Sequence, residues 1–237
     1  IGRHALMIIN VDQRALLTDH RGMASHPHTD TQHTDTAPPA PSRSTNPHGT
    51  ITVPRGLSGV VVTDTEVGDV LGDVGMYHYR GYPATELARS RGLEDVWALM
   101  IDGELPANDA EQRAFRNEVR AQRSLPTAVR DVLTHIARAG STLDGLRTAL
   151  SLVGQVEGMR PLLDSASERR RADALRLAAV TPTIVAALHR AALGEIPVEP
   201  RGDLGTGANL LWMLSGSEPQ PELARALETY LVTTIDH

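Results

Sequence analysis

Cysteine is absent from this 237-residue sequence, and aromatic residues make up only 3% of it. The first absence excludes disulfide bonds, cysteine-ligated zinc and a thiolate nucleophile, and it is compatible with the cytoplasmic location that we expect. The second means that the core must be packed from leucine, valine, alanine and isoleucine, which suits helices lying on helices. The composition therefore predicts a mainly α fold.

An excess of positive charge and long apolar runs are also missing. The 23 Lys and Arg residues are scattered among 29 Asp and Glu residues, which gives a formal net charge of −6. No broad cationic face is available for a phosphate backbone, so nucleic acid is not an expected partner. The uncharged stretch from Leu177 to His189 is too short to span a bilayer, and no membrane segment is predicted.

The first fifty residues differ in composition from the rest. From Ala24 to Gly49 the sequence is rich in His, Thr, Pro and Ser and almost free of large apolar residues. Residues 1–50 are therefore predicted to form a disordered arm. Because the chain starts at Ile1, we take Met23 as a hypothetical biological start, with residues 1–22 read from upstream. Residues 51–237 are predicted to form a helical domain that is incomplete at its C-terminus.

The arm holds six of the ten histidines, which raises the hypothesis of a metal site. These six are His4, His20, His26, His28, His33 and His48. An unstructured segment gives imidazole ligands no fixed geometry and no orienting second shell, so we expect no bound metal. Zinc or nickel titration that ordered residues 24–49 would favour the metal hypothesis. The other histidines show no metal-ligand spacing; they are His78, His135, His189 and His237.

Beyond Ile51 the sequence predicts a small β-hairpin followed by amphipathic helices. GVVVTDTEV and MYHYRGY are interpreted as strands, with the glycine-bearing GDVLGDVG as the turn between them. The apolar period then becomes helical, and several helices have recognisable first residues. These are Leu93, Asn108 in a capping box with Glu111, Pro126, Ser141 with Asp144, and Pro221.

Three further expectations concern the later helices. A long helix from about Ser167 to Gly194 contains Pro182, which lacks a backbone donor, so a break is predicted at Thr181. Asp203 is predicted to cap the short helix GTGANLLWML. The final helix is expected to run directly into His237. One face of this helix is predicted to carry Leu223, Leu227, Tyr230, Leu231 and Thr234.

Generic sequence motifs do not identify a chemistry. Gly205-Thr206-Gly207 begins like a dinucleotide-binding fingerprint, but Leu210 occupies the third glycine position and no strand precedes it. The run from Gly56 to Gly59 does not complete a nucleophile elbow, because valine follows it. Spacing alone predicts a helical globular domain and no particular activity.

The order of longer segments is more informative. The segments are GLSGVVVTDTEVGDV, YHYRGYPATELA, LEDVWALMIDGELP, DGLRTALSLVG, ALRLAAVTPTIVAALHRAALGE and GANLLWMLSGSEPQPELARALETYLVTTIDH. In this order they resemble the amino-terminal part of the citrate synthase family, over about Arg55 to His237. Asp102 stands where the family frequently has histidine, a difference that we expect to be harmless. The resemblance implies a multi-helical large domain.

The resemblance assigns a role to one residue, His237. It matches the family histidine that hydrogen-bonds oxaloacetate, and an imidazole N–H can stabilise the alkoxide formed when a carbanion attacks a ketone. The family condenses acetyl-CoA, its cosubstrate, with oxaloacetate to give citrate and CoA, uses no bound cofactor, and forms homodimers. The family's second histidine, its aspartate base, its carboxylate-binding arginines and most of its CoA site would lie beyond His237. The 237-residue chain alone is therefore expected to be inactive.

Two alternatives stay open from the sequence. One is 2-methylcitrate synthase, which uses propionyl-CoA, because the residues that shape the acyl pocket would mostly lie beyond His237. The other is a helical homologue without catalytic activity that keeps the scaffold as a binding or regulatory module. Thioester preference, measured as kcat/KM, separates the two enzymes.

Overall fold

The computed structural model describes residues 53–57, 59–61 and 64–236. The chain divides into two units, residues 1–64 and 65–237, which are described separately. The described part of the first unit contains a short 3₁₀ turn, Arg55–Leu57, in which Gly56 has a φ of 72°. The predicted arm over residues 1–50 lies outside the described residues, and so does Ser58.

A three-stranded antiparallel sheet opens the second unit. Its strands are β1 (Gly68–Leu71), β2 (Met76–Tyr79) and β3 (Tyr82–Pro83), in the order β1-β2-β3. A hairpin is confirmed, but the predicted boundary of its first strand is wrong, because β1 lies in the segment predicted as the turn. The 3₁₀ turn Gly72–Val74 and the left-handed Gly75, at a φ of 64°, pair Leu71 with Met76. This tight turn, rather than the preceding valine run, sets the register.

Eight α-helices follow within the described residues, and their presence confirms the mainly α prediction. They are α1 (Ala84–Ser90), α2 (Leu93–Asp102), α3 (Asp109–Ala121), α4 (Thr127–Ala139), α5 (Thr142–Val156), α6 (Ser167–Ala192), α7 (Thr206–Ser215) and α8 (Pro221–Thr233). The predicted starts are confirmed by their caps. Asn108 accepts from the N–H groups of Ala110 and Glu111, and Ser141 accepts from that of Asp144.

The buried apolar residues form three clusters. The first joins β2, α1, α2 and α8, and its largest members are Tyr79, Leu93 and Leu99. The second joins α4, α5 and α6, and the third joins α2, α3 and α6. The long helix α6 thus contributes to two of the clusters and connects the two ends of the helical domain. None of the helices among the described residues is long and apolar enough to cross a bilayer.

The predicted break in α6 is wrong, because this helix runs without interruption through Pro182. Residues on both sides of the proline are buried, including Val180 and Ile184, and the packing against α4 and α5 holds the helix together. The Thr181 hydroxyl donates to the Leu177 carbonyl one turn earlier. The stabilisation of α6 by tertiary packing therefore outweighs the cost of the backbone N–H donor that Pro182 lacks.

The final helix also differs from its prediction. α8 ends at Thr233, and Thr234 has left the helical conformation, with φ −120° and ψ 16°. Its fully or largely buried residues are Ala224 and Val232, whereas Tyr230 is 63% exposed. The buried face of α8 therefore differs from the predicted face. The helix packs against α1, α2 and the hairpin, and the stripe of its largest side chains is not the face that is buried.

Candidate functional site

The predicted site residue, His237, lies outside the described residues. The structure describes the turn that leads to it, Thr234–Asp236, and the elements on which this turn rests. Val232 is fully buried at the end of α8, and Ile235 packs against the same apolar cluster as β2 and α1. The chain segment immediately before His237 is thus anchored on both sides of the point where α8 ends.

Two tyrosines of β2 bind the last carbonyl of α8. The hydroxyls of Tyr77 and Tyr79 donate to the Thr233 carbonyl oxygen over 3.0 and 3.1 Å. Residues two apart on a strand share one face, and here both rings point toward α8 with their centroids 5.7 Å apart. Burial first, and then the neighbouring Tyr77, raise the pKa of Tyr79.

Gly68 on β1 lies under the carboxylate of Asp236. A Cβ placed on Gly68 would be 2.0 Å from Asp236 Oδ2, so only glycine leaves room for this carboxylate in its present position. Gly68 also pairs with Tyr79 in the sheet. The hairpin therefore contacts both the start of the turn, at the Thr233 carbonyl, and its end, at Asp236.

A buried polar network lies at the beginning of α7. Glu94 Oε1 accepts from the N–H and the hydroxyl of Thr206 over 2.7 and 2.8 Å, and from Arg123 Nη2 over 3.3 Å. Arg123 also donates to the Leu204 carbonyl over 2.8 Å. Glu228 of α8 accepts from the Gly207 N–H over 3.3 Å. Two carboxylates from other helices thus occupy the end of α7 where backbone N–H groups are exposed.

The predicted cap of α7 is wrong as a consequence. Asp203 pairs with Arg201 instead, and the helix starts after Gly205 without a cap from its own segment. Glu94, which is distant in the sequence, supplies the missing acceptor. Nothing in the local pattern around Gly205 indicates this partner, although a glutamate in the first turn of α2 that is only 4% exposed is the kind of group that needs one.

Burial shifts the pKa of two charged groups in this network, Arg123 and Glu228. Burial lowers the pKa of Arg123, and the attraction of Glu94 opposes that shift. Burial raises the pKa of Glu228, with a further increase from the charge of Glu94. Arg225 and Arg116 act in the opposite direction on Glu228 but do not outweigh burial. This network is a structural centre that joins α2, α7, α8 and the segment after α3.

The remaining candidate histidines lie on separate secondary-structure elements. His78 is half-buried on β2, His135 is exposed on α4, and His189 is half-buried near the end of α6. No group of His, Asp and Glu suited to a metal ion occurs in the part of the chain that the structure describes. An open depression of about 380 Å³ lies over α5, but its Asp144 and Arg147 already pair with each other.

Asp102 lies at the end of α2 and forms an ion pair with Arg171 of α6. Its two oxygens accept from Arg171 over 2.5 and 2.9 Å, and the same guanidinium binds Glu118 of α3. Asp102 therefore has a cation of its own, and the harmlessness of this replacement stays a prediction.

The fold and the site define a helical domain whose final turn is held by a small sheet. A family model described as "Citrate synthase, C-terminal domain" matches residues 56–237. The chain therefore belongs to the citrate synthase family.

Individual relatives agree with this assignment. The chain is similar to a citrate synthase of Acidithiobacillus ferridurans, with 34% identity over 77% of this chain and 48% of that protein. It is 35% identical to a 2-methylcitrate synthase of Mycobacterium tuberculosis, over 78% of this chain and 46% of that protein. The crystal structure of citrate synthase from Pyrobaculum aerophilum matches with a TM-score of 0.68 and 31% identity, covering 87% of this chain and 52% of that one. The chain spans about half the length of the curated relatives it matches.

Proposed function

We propose that this chain is part of an enzyme that condenses acetyl-CoA with oxaloacetate to give citrate and CoA, and that His237 binds the oxaloacetate ketone. The family membership supports the reaction class, and the anchored turn before His237 supports the assignment of that residue. An imidazole N–H held at the ketone oxygen would stabilise the negative charge that develops there as the new carbon–carbon bond forms. The citryl thioester is then hydrolysed to citrate and CoA.

The other chemical roles are proposed to lie outside this chain. The reaction needs a base to remove a proton from the acetyl methyl group and cations to bind the two carboxylates of oxaloacetate. The polar side chains at the turn Thr234–Asp236 include those of Asp236, Tyr77 and Tyr79. We also propose a homodimer and a cytoplasmic location for the complete protein.

The test is release of the CoA thiol by the complete protein with oxaloacetate and acetyl-CoA. His237→Ala should lower kcat/KM by about 10²- to 10³-fold, the size of effect typical for losing one donor to a developing oxyanion. His135→Ala, at an exposed position on α4, is the matched control and should leave the rate unchanged. The absence of CoA release from the wild-type protein with either thioester would overturn the enzymatic proposal. Turnover by residues 1–237 alone would overturn the placement of the base outside the chain.

The second candidate is 2-methylcitrate synthesis from propionyl-CoA. It is favoured by the M. tuberculosis relative of that name, which is as similar to this chain as the citrate synthases are. The two reactions differ by one methylene in the acyl group, for which a pocket discriminates by about 10- to 200-fold. The ratio of kcat/KM for propionyl-CoA and acetyl-CoA decides between them. A complete protein that binds oxaloacetate but releases no CoA would instead be a homologue without catalytic activity.

A further inference from the structure

The carbonyl of Thr233 has an unusual pair of partners. Carbonyl groups in the last turn of a helix have no partner within the helix, and most are satisfied by water or by a local cap. Here two phenolic hydroxyls from the same strand, those of Tyr77 and Tyr79, donate to one oxygen and use both of its lone pairs. Both tyrosines lie more than 150 residues earlier in the chain. This is a specific long-range attachment rather than a local helix cap.

The attachment coincides with the point where the chain leaves the helix. The hydroxyls of Thr233 and Thr234 both donate to the Tyr230 carbonyl, so the preceding turn is closed by its own side chains. The Thr233 carbonyl is then the first group of the exit turn, and β2 holds it. Val232 and Ile235 pack into the core on either side of it. The sheet therefore fixes the start of the turn Thr234–Asp236.

Gly68 gives independent support for the same arrangement. Gly68 pairs with Tyr79 in the sheet, and its lack of a side chain leaves room for the Asp236 carboxylate. Its φ is not in the left-handed region, so glycine is not required there by backbone conformation. The close approach of Asp236 is the remaining reason for a glycine. The hairpin thus leaves space for the side chain of Asp236, the residue that directly precedes His237.

We propose that Tyr77 and Tyr79 are positioning residues for the oxaloacetate site, because they fix the Thr233 carbonyl and with it the turn Thr234–Asp236 that leads to His237, with Gly68 accommodating Asp236. The inference rests on the proposed function of His237. Donors that stabilise an oxyanion act within a narrow range of distances, about 2.7–3.1 Å, so a small displacement of the exit turn weakens oxaloacetate binding. The tyrosines themselves do not touch the substrate.

The test uses Tyr77→Phe, Tyr79→Phe and the double variant in the complete protein. Phenylalanine keeps the ring and its packing and removes only the hydroxyl. The control is Tyr230→Phe, at an exposed tyrosine of α8. In the double variant, KM for oxaloacetate should rise about 3- to 10-fold, while KM for acetyl-CoA should stay within about twofold. Amide hydrogen exchange of residues 234–237 should become about tenfold faster, with exchange in α4 and α5 unchanged.

Gly68→Ala is the second probe, because it displaces Asp236 without removing a hydrogen bond from the tyrosines. It should raise KM for oxaloacetate in the same direction as the double variant, with little change in the melting temperature.

Three results would overturn the proposal. The first is unchanged amide exchange of residues 234–237 in the double variant. The second is an equal rise in KM for both substrates, which would show a general structural effect. The third is a rise in KM for oxaloacetate of the same size in Tyr230→Phe. If the wild-type protein neither turns over nor binds oxaloacetate, the proposed function fails, whereas the exchange experiment still decides whether the tyrosines hold the turn.

Discussion

Two arginines of this protein bind carboxylates in opposite surroundings. Arg123 and Glu94 have side chains that are each 5% exposed, whereas Arg171, Asp102 and Glu118 are between 33% and 41% exposed. Burial lowers the pKa of Arg123 in spite of its partner, whereas the hydrogen bonds from Arg171, first to Glu118 and then to Asp102, raise the pKa of Arg171. The same ion-pair chemistry is therefore dominated by desolvation inside the domain and by pairing at its surface.

This difference predicts which of the two clusters the fold depends on. Removing one member of a buried pair leaves an uncompensated charge, whereas an exposed pair that is broken is solvated by water. Arg123 also binds the Arg201 and Leu204 carbonyls, so it fixes the segment that leads into α7. Arg171 connects only side chains of α2, α3 and α6.

The largest effect is expected for Arg123→Met. It leaves Glu94 buried without its cation and removes the donor to the Leu204 carbonyl, so the free energy of unfolding should fall by about 3–5 kcal/mol. Urea denaturation at neutral pH measures the change. Arg113→Met, at an exposed position on α3, is the control and should stay within about 0.5 kcal/mol of wild type. A loss below about 1 kcal/mol for Arg123→Met would remove the proposed contrast between the clusters.

The next effect concerns Gly207→Ala at the second position of α7. Alanine is favoured over glycine in a helix by about 1 kcal/mol, but a Cβ here would be 2.4 Å from Glu228 Cγ. Overpacking should outweigh the propensity, with a net loss of about 1–3 kcal/mol. Adding Glu228→Ala removes the clashing atoms, so the double variant should be more stable than the sum of the single effects predicts. Additive effects in this double-mutant cycle would show that Glu228 is not the obstacle.

A smaller effect with a defined pH dependence is expected for Glu228→Gln. The pKa of Glu228 is raised in the folded state by burial and by Glu94, relative to a reference value of 4.5. The folded protein therefore holds this proton more tightly than the unfolded chain, and the stabilisation is complete below pH 4.5. It is lost as the pH rises through the higher folded value.

Glutamine stays neutral and can still accept from the Gly207 N–H. Glu228→Gln should therefore flatten the fall in stability with rising pH above 4.5, and it should be at least as stable as wild type at neutral pH. Urea denaturation across this range measures the slope. If the stability of Glu228→Gln falls with rising pH as steeply as that of the wild type, another group causes the pH dependence. Glu222→Gln, at an exposed position in the first turn of α8, is the matched control.

The sequence predicted local structure better than long-range contacts. The starts of α3, α4, α5 and α8 follow from nearby capping residues and prolines, and the resemblance to the family follows from segments in the correct order. The start of α7 was predicted within one residue, but its cap could not be predicted, because that cap is Glu94, 112 residues earlier. The attachment of α8 to Tyr77 and Tyr79 was missed for the same reason. The missing donor of Pro182 predicts a break, but the packing that holds α6 together is not visible in a local pattern.

The candidate site shows the same limit. The role of His237 in binding oxaloacetate follows from the resemblance of the final segment to the family sequence. His237 itself lies outside the described residues. The expectation that a helix runs into it was wrong, since the Thr233 carbonyl is drawn to β2 where α8 ends. A single sequence cannot show that a strand near its start binds a helix near its end. The contacts of Tyr77 and Tyr79 with the Thr233 carbonyl were therefore found only in the structure.

The smallest effect is expected in the exposed cluster around Arg171. A double-mutant cycle of Arg171→Ala and Asp102→Ala should give a coupling energy of about 0.2–1 kcal/mol, because water solvates whichever partner remains. The coupling should weaken in 1 M salt, where the screening length is about 3 Å. Glu118 provides a second partner for Arg171, so Asp102→Ala alone should change stability even less than Arg171→Ala. A coupling as large as the loss expected for Arg123→Met would mean that exposure does not separate the two clusters, and that the geometry of the guanidinium between two carboxylates decides their strength instead.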